Sequence, residues 1–418
     1  VIVQGLRDGR PFEGLEDEAE APQIVLFARR LGELVPGTVV AAAVLAAVAR
    51  ALLSGGDAVH AAACVLALAP CALVDRVAEL PFIDALVAAA RKGIVFRDAA
   101  SVESAARVGT VVLCLRGTVT VDQLELTEVV SLGDRSESEL IATAAAAEEV
   151  APGDPIARGL TEAAAKRAVR LEGVRRPALV QGQGVTALNV SGEPVVIGNR
   201  RLLLAEGVSV APAEDVAAAI EGAGRTSEND AIGGKVEGVL GFEDRVRGEA
   251  RSSVQAMMDA GFDVALLGGA SRATMESIGA MLDVANLRPE VLPEERAAVV
   301  RTLSDVGNGV AVVGRPARDG AALAAADVAI SIEAAGGAGA ETAMALASDD
   351  LRDAAAALGL ARKARESAAA VMLLGVSVTA LGAVVVALVP SWAVPFVLGT
   401  FVAVMAGQSF ILRERESE

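Results

Sequence analysis

The sequence predicts an α/β protein joined to membrane helices. A doubly wound parallel sheet carries an inserted α+β domain and lies between two pairs of transmembrane helices. Three observations predict this. Long apolar runs gather towards both ends of the chain. Short all-apolar segments alternate with helical patterns from about residue 236 onward, as in a sheet covered on both faces. A block of different patterning separates the first such strand from the others.

The chain has 418 residues, 53% of them hydrophobic, so it can bury more than one core. Residues 34–53 and 58–74 are near-continuous apolar runs joined by SGGD, and 368–389 and 392–412 are joined by a Val-Pro-Ser stretch. Each is about long enough to cross roughly 30 Å of hydrocarbon. Arg29, Arg30, Arg76, Arg91, Lys92, Arg362, Lys363, Arg365, Arg413 and Arg415 flank the ends that face the large polar segment, whereas the two short turns carry no Lys or Arg. That bias predicts a multi-pass protein whose large domain and both termini are cytoplasmic. Arg50, near the first turn, is the exception, and a long side chain there can snorkel.

The expected organisation is a juxtamembrane segment (1–33), a first hairpin (34–74), a linker helix with the first part of the parallel-sheet domain (75–120), the insert (121–235), the rest of the sheet domain (236–345), a second linker helix (346–367), a second hairpin (368–412) and a tail (413–418). Arg362, Lys363 and Arg365 suit an anionic leaflet. Small residues in VTALGAVVVAL let helices approach closely, so the expected partners are the lipid bilayer and another membrane protein. The net charge of −17 with no basic stripe argues against nucleic acid. Three cysteines, two of them inside an apolar run, make no disulfide framework. The N-terminal stretch is polar and acidic, without the pattern of a cleavable signal peptide.

Within the polar segment VGTVVLCL (108–115) reads as a strand. The insert offers helices at 138–149 and 155–168 and short strands in VTALNVSG and EPVVIGN. GVLGFED, FDVALLGGA, GNGVAVVG and ADVAISI read as further strands of the parallel sheet, separated by helices at about 247–260 and 272–283. An insertion after the first strand leaves the strand ends converging on one crevice.

Ala69-Pro70-Cys71, RKGI (91–94) with SVE (101–103), GDPIA (153–157), GQGV (182–185), GFEDRVR (241–247) and VGRPARDGAALAAADVAI (313–330) occur in an order that resembles the P-type ATPases, the heavy-metal-transporting subfamily above all. Ala69-Pro70-Cys71 is similar to that subfamily's Cys-Pro-Cys membrane motif, and RKGI (91–94) with SVE (101–103) to the link into its phosphorylation domain. GDPIA (153–157) and GQGV (182–185) resemble the Ser-Glu-His-Pro-Leu-Ala and Gly-x-Gly stretches of its nucleotide domain. GFEDRVR (241–247) resembles the Asp-x-x-Arg strand, and VGRPARDGAALAAADVAI (313–330) the Gly-Asp-Gly-x-Asn-Asp hinge. The resemblance implies a haloacid-dehalogenase-like phosphorylation (P) domain with an inserted nucleotide-type (N) domain.

It also implies a reaction: in-line attack of a carboxylate on the γ-phosphate of ATP, with Mg²⁺ neutralising the transferred group. The nucleophile of that family's Asp-Lys-Thr-Gly-Thr falls on Cys114, its lysine on Leu115, its first threonine on Arg116, and its second Mg²⁺ carboxylate on Arg315. The Thr-Gly-Asp loop falls on Gly268-Gly269-Ala270, the phosphate-binding lysine on Arg296, the hinge Asn on Arg318 and the nucleotide-domain His on Asp154. Thr118, Asp244, Arg247 and Asp319 are retained. A neutral thiol is a poor ligand for a hard cation. The first 33 residues hold no counterpart of the family's actuator domain, so alternating access is not expected.

The expectation is therefore a pseudo-ATPase with no catalytic residues and no cofactor, acting as a binding or regulatory partner. The alternative is an ATP-dependent metal-cation transport ATPase or a phosphate-handling enzyme of altered mechanism, the latter using Cys114 or Asp319 as nucleophile or base with an arginine cluster in place of Mg²⁺; ATP and Mg²⁺ enter only under this alternative. Gly182 and Gly184 are nucleotide-binding candidates, although a Gly-x-Gly between short strands is equally a tight turn. Arg116, Arg296, Arg315 and Arg318 either form an anion pocket or pair with Asp319, Asp244 and solvent. His60, Cys64 and Cys71 lie within about 40° of one another on a helical wheel. His60 and Cys64 suit a soft metal such as Cu(I), while Cys71 is roughly 10 Å further along the axis. The competing reading of these three is a helix interface of small polarizable residues.

Overall fold

The computed structural model describes residues 78–306, 309–332 and 343–388, with isolated positions before residue 49. The chain divides into two compact units, 1–107 with 357–418, and 108–356.

In the first unit, α1 (Leu80–Arg91) begins with proline in its first turn and ends on Arg91, each where the helix termini favour it. Phe82, Ile83, Leu86 and Ala89 recur at helical spacing and are buried. After β1 (Ile94–Phe96), α2 (Ala99–Arg107) starts where the Asp98 carboxylate accepts the Ser101 amide and hydroxyl, both at 2.6 Å.

The second unit contains two sheets. Strands β2 (Thr110–Cys114), β9 (Asp263–Leu267), β10 (Asn286–Arg288), β11 (Val310–Gly314), β12 (Val328–Ser331) and β13 (Met344–Leu346) pair in parallel, in the order β13-β12-β11-β2-β9-β10. Val112 sits opposite Val312 on one side and Ala265 on the other. Val111, Val112 and Leu113 are wholly buried, which explains an apolar run with no alternation. Helices α7 (Ala250–Asp259), α8 (Arg272–Leu282), α9 (Arg296–Val306) and α10 (Pro316–Ala324) separate the later strands in sequence.

The other sheet is antiparallel, in the order β3-β8-β7-β6-β5-β4. Its strands are β3 (Thr120–Ser131), β4 (Arg175–Val180), β5 (Gly184–Leu188), β6 (Pro194–Gly198), β7 (Thr226–Ile232) and β8 (Lys235–Val246). Helices α3 (Glu137–Glu148) and α4 (Pro155–Lys166) precede β4, and α5 (Arg200–Ala205) and α6 (Glu214–Gly222) precede β7. Ser136 and Glu139 form a reciprocal capping box at the start of α3. Leu140, Ile141 and Leu160 from the two helices share a core with Leu124, Leu240 and Phe242 of the sheet.

This arrangement corrects one expectation. GVLGFED belongs to β8, which pairs antiparallel with β3 and β7, and not to the parallel sheet. A continuous apolar run marks burial on both faces, but it does not say which sheet supplies the neighbours. Here the twelve-residue β3 offers an edge as long as β8 itself.

A final helix, α11 (Leu351–Leu388), runs without a break through the expected junction at 367/368. Leu373, Leu374, Val376 and Leu381 are half or more exposed on it. Among the described residues, no helix is long and apolar enough to cross a membrane. The expected spans 34–53, 58–74 and 392–412, and with them His60, Cys64 and Cys71, lie outside the described residues, apart from isolated helical positions in the first span.

Candidate functional site

The carboxyl ends of β2, β9 and β11 lie side by side, which in a doubly wound sheet is where chemistry is placed. β2 ends at Cys114, opposite Leu267 of β9. The chain then turns through Leu115–Val119, with Gly117 at φ 82°, before entering β3. A Cβ on Gly117 would meet Arg315 Cδ at 3.0 Å, so glycine serves both the turn and that approach. β11 ends at Gly314, whose missing side chain leaves room for Cys114 Sγ and the Asp319 carboxylate.

Asp319 is the hub. It is 1% exposed; its Oδ1 accepts from Arg296 at 2.6 Å and its Oδ2 from the Arg315 amide at 3.0 Å. Burial raises its pKa, opposed by the Arg315 amide, Arg296, Arg318 and a hydrogen bond with Cys114. The Cys114 thiol is pushed well above its ordinary range, first by burial and then by the Asp319 charge, which outweighs Arg296. It is therefore a neutral thiol at physiological pH.

The other arginines are also engaged. Arg315 donates from Nε to the Gly117 carbonyl at 2.9 Å, and Arg318 meets Asp122 at 2.5 Å. Arg116 lies 4.0 Å from Asp244, whose Oδ2 accepts the Thr120 hydroxyl at 2.6 Å. Arg247 donates to the carbonyls of Gly117 and Thr120, both at 3.3 Å, and pairs with Asp349 at 2.8 Å. Thr118 is fully buried and its hydroxyl has no partner among the described residues.

These donors do not suit a divalent cation. Mg²⁺ needs free, unpaired oxygens near octahedral positions. Here the central carboxylate is closed by a guanidinium, with a neutral thiol beside it. Among the described residues, no three of His, Cys, Asp and Glu are grouped to hold one metal ion.

A cleft of about 640 Å³ opens beside this cluster and extends onto the antiparallel sheet. Gly182 and Gly184 line it. Gly184 has φ 140°, and a Cβ there would come within 2.1 Å of the Ile197 carbonyl oxygen, so the packing of β5 on β6 already requires glycine. Asp154 caps α4 through the Ile156 amide at 2.8 Å. Three cleft residues escaped the sequence reading: Glu148, Glu221 and Glu228. Burial, and then Asp154, pushes the Glu148 pKa to about 7. Burial, and then Glu148, pushes Glu228 to about 8.

A parallel sheet with this crevice and an antiparallel lobe inserted after its first strand resemble the P and N domains of a P-type ATPase. No family model matches the chain. It is 30% identical over 313 residues to a copper-exporting P-type ATPase of Legionella pneumophila, covering 73% of this chain and 42% of that protein. It is 34% identical over 245 residues to the probable copper-exporting P-type ATPase V of Mycobacterium tuberculosis, covering 58% of this chain and 31% of that one. The chain thus spans less than half the length of these relatives. In fold it is similar to a zinc-transporting PIB-type ATPase in its E2.Pi state, with a TM-score of 0.63 at 22% identity, covering 93% of this chain and 66% of that one. A CPx-ATPase catalytic domain matches with a TM-score of 0.51 at 19% identity, over 65% of this chain and 96% of that domain. The chain belongs to the heavy-metal P-type ATPase family.

Proposed function

We propose that this chain is a membrane-embedded pseudo-ATPase, a heavy-metal P-type ATPase relative that acts by binding, as a regulatory partner of another membrane protein. One observation carries the reading: the 2.6 Å pair between Arg296 and Asp319, closed beside the neutral Cys114 thiol. A phosphorylation site must present an ionised nucleophile and bind a cation. This site instead satisfies its own charges. The exposed apolar side chains Leu373, Leu374, Val376 and Leu381 on α11 support insertion of that helix in a bilayer, with the large domain and both termini on the cytoplasmic side.

The test is phosphorylation of the detergent-solubilised full chain with γ-labelled ATP and Mg²⁺. No acid-stable or thiol-linked phosphoenzyme is expected, and Cys114→Asp alone creates none, because Arg315 and Arg296 still occupy the surroundings. A labelled species abolished by Cys114→Ser would establish an enzyme of altered mechanism instead. Affinity purification from the native membrane with mass spectrometry reads the partner. Recovery of the chain without any membrane protein contradicts the regulatory role.

A further inference from the structure

The charges lining the cleft do not balance. Its arginines are engaged one by one: Arg200 with Glu221 at 2.6 Å, Arg201 with Glu295 at 3.3 Å, Arg296 with Asp319, Arg318 with Asp122, and Arg116 towards Asp244. Glu148, Asp154 and Glu228 have no ion-pair partner among the described residues. Glu228 lines the cleft and is 93% buried, since its exposure is 7%, and its Oε2 has no hydrogen-bond partner among the described residues. A buried carboxyl oxygen left unpaired is costly unless something supplies the missing donor.

We propose that this cleft is a binding site for an organic di- or polyammonium compound, held by Glu148, Asp154 and Glu228.

The class follows from the sign of the acids and from their number. The three carboxylates are not grouped to hold one metal ion. Glu148 and Asp154 nevertheless act electrostatically on Glu228. A ligand with separated ammonium groups meets several such acids at once, and each N–H⁺···O⁻ contact is a strong, charge-assisted hydrogen bond. The same acids repel the phosphates of a nucleotide. The charged groups acting on Glu228 are Glu148, Arg116, Asp154 and Glu221, and only Arg116 opposes its protonation. Binding of a cation therefore expels a proton from Glu228, giving a readout that mere surface attraction lacks.

The experiment is calorimetric titration of the solubilised full chain with spermidine near pH 7.5, in two buffers of different ionisation enthalpy. Saturable binding with net proton release is expected. Glu228→Gln and Glu148→Gln each weaken it about tenfold or more, by loss of one charge-assisted contact. Glu206→Gln, at an exposed acid outside the cleft, leaves it unchanged. If Glu228→Gln melts early, Glu148→Gln and Asp154→Asn carry the comparison. No saturable spermidine binding, equal weakening by Glu206→Gln, or tighter binding of ATP at the same place overturns the proposal. None of these outcomes bears on phosphoenzyme formation, so the two readings fail separately.

Discussion

The ends of the parallel strands and the wall of the antiparallel lobe both bring buried charges to one cleft, and they treat them in opposite ways. At the strand ends every described arginine finds a carboxylate or a carbonyl, and Asp319 takes three donors. On the lobe, Glu148 and Glu228 are buried with no ion-pair partner among the described residues, and burial lifts their pKa values to about 7 and about 8. The difference teaches that charges buried in pairs close a site, whereas acids buried together raise one another's pKa and leave it open.

The largest expected effect breaks the closed side. Asp319→Ala leaves the Arg296 guanidinium buried and alone, and should cost about 3–5 kcal/mol in chemical denaturation. Replacing both partners, Arg296→Met with Asp319→Leu, should recover most of it. A single-mutant loss below about 1 kcal/mol contradicts the ion-pair account.

A smaller effect sharpens the open side. Burial raises Glu228 and Asp230 from ordinary values of 4.5 and 3.8 to about 8 each. The folded chain then binds more protons than the unfolded chain between those limits, so this contribution is complete below about pH 4 and is lost as pH rises through about 8. Stability should fall by about 2 kcal/mol or more between pH 5 and 9, since each tenfold change in proton affinity is worth roughly 1.4 kcal/mol. Glu228→Gln should flatten the slope, as read from denaturation midpoints across that range. A slope unchanged in Glu228→Gln removes that group from the argument.

Ser136→Ala, in the capping box of α3, calibrates both regions. It should cost about 1 kcal/mol by the same measurement, with no pH dependence above pH 6. A pH-dependent loss there means that the slope is not specific to the buried acids.

Strands β2, β9, β11 and β12 were legible because burial on both faces demands unbroken apolar runs. Helices α3 and α4 were legible, close to the expected 138–149 and 155–168, and so was Gly117 from its turn. β7 was not. Its TSEND stretch is polar throughout and reads as a loop, yet Glu228, Asn229 and Asp230 are buried in a strand. No periodicity marks a polar residue that a fold chooses to bury. The candidate arginines were legible as positions, since the ordered motifs located them. Their partners Asp122 and Asp349 were not, because neither lies in a motif.

From the sequence alone come the α/β architecture, the family resemblance and the position of Cys114 at the end of the first parallel strand, since these depend on local pattern and motif order. Only the tertiary structure decided that Cys114 is neutral, that Arg296 closes on Asp319 across 23 residues, and that Glu148 and Glu228 meet in one cleft. A pKa and an ion pair depend on distance and on exclusion of water, and those exist only once the strands are laid side by side.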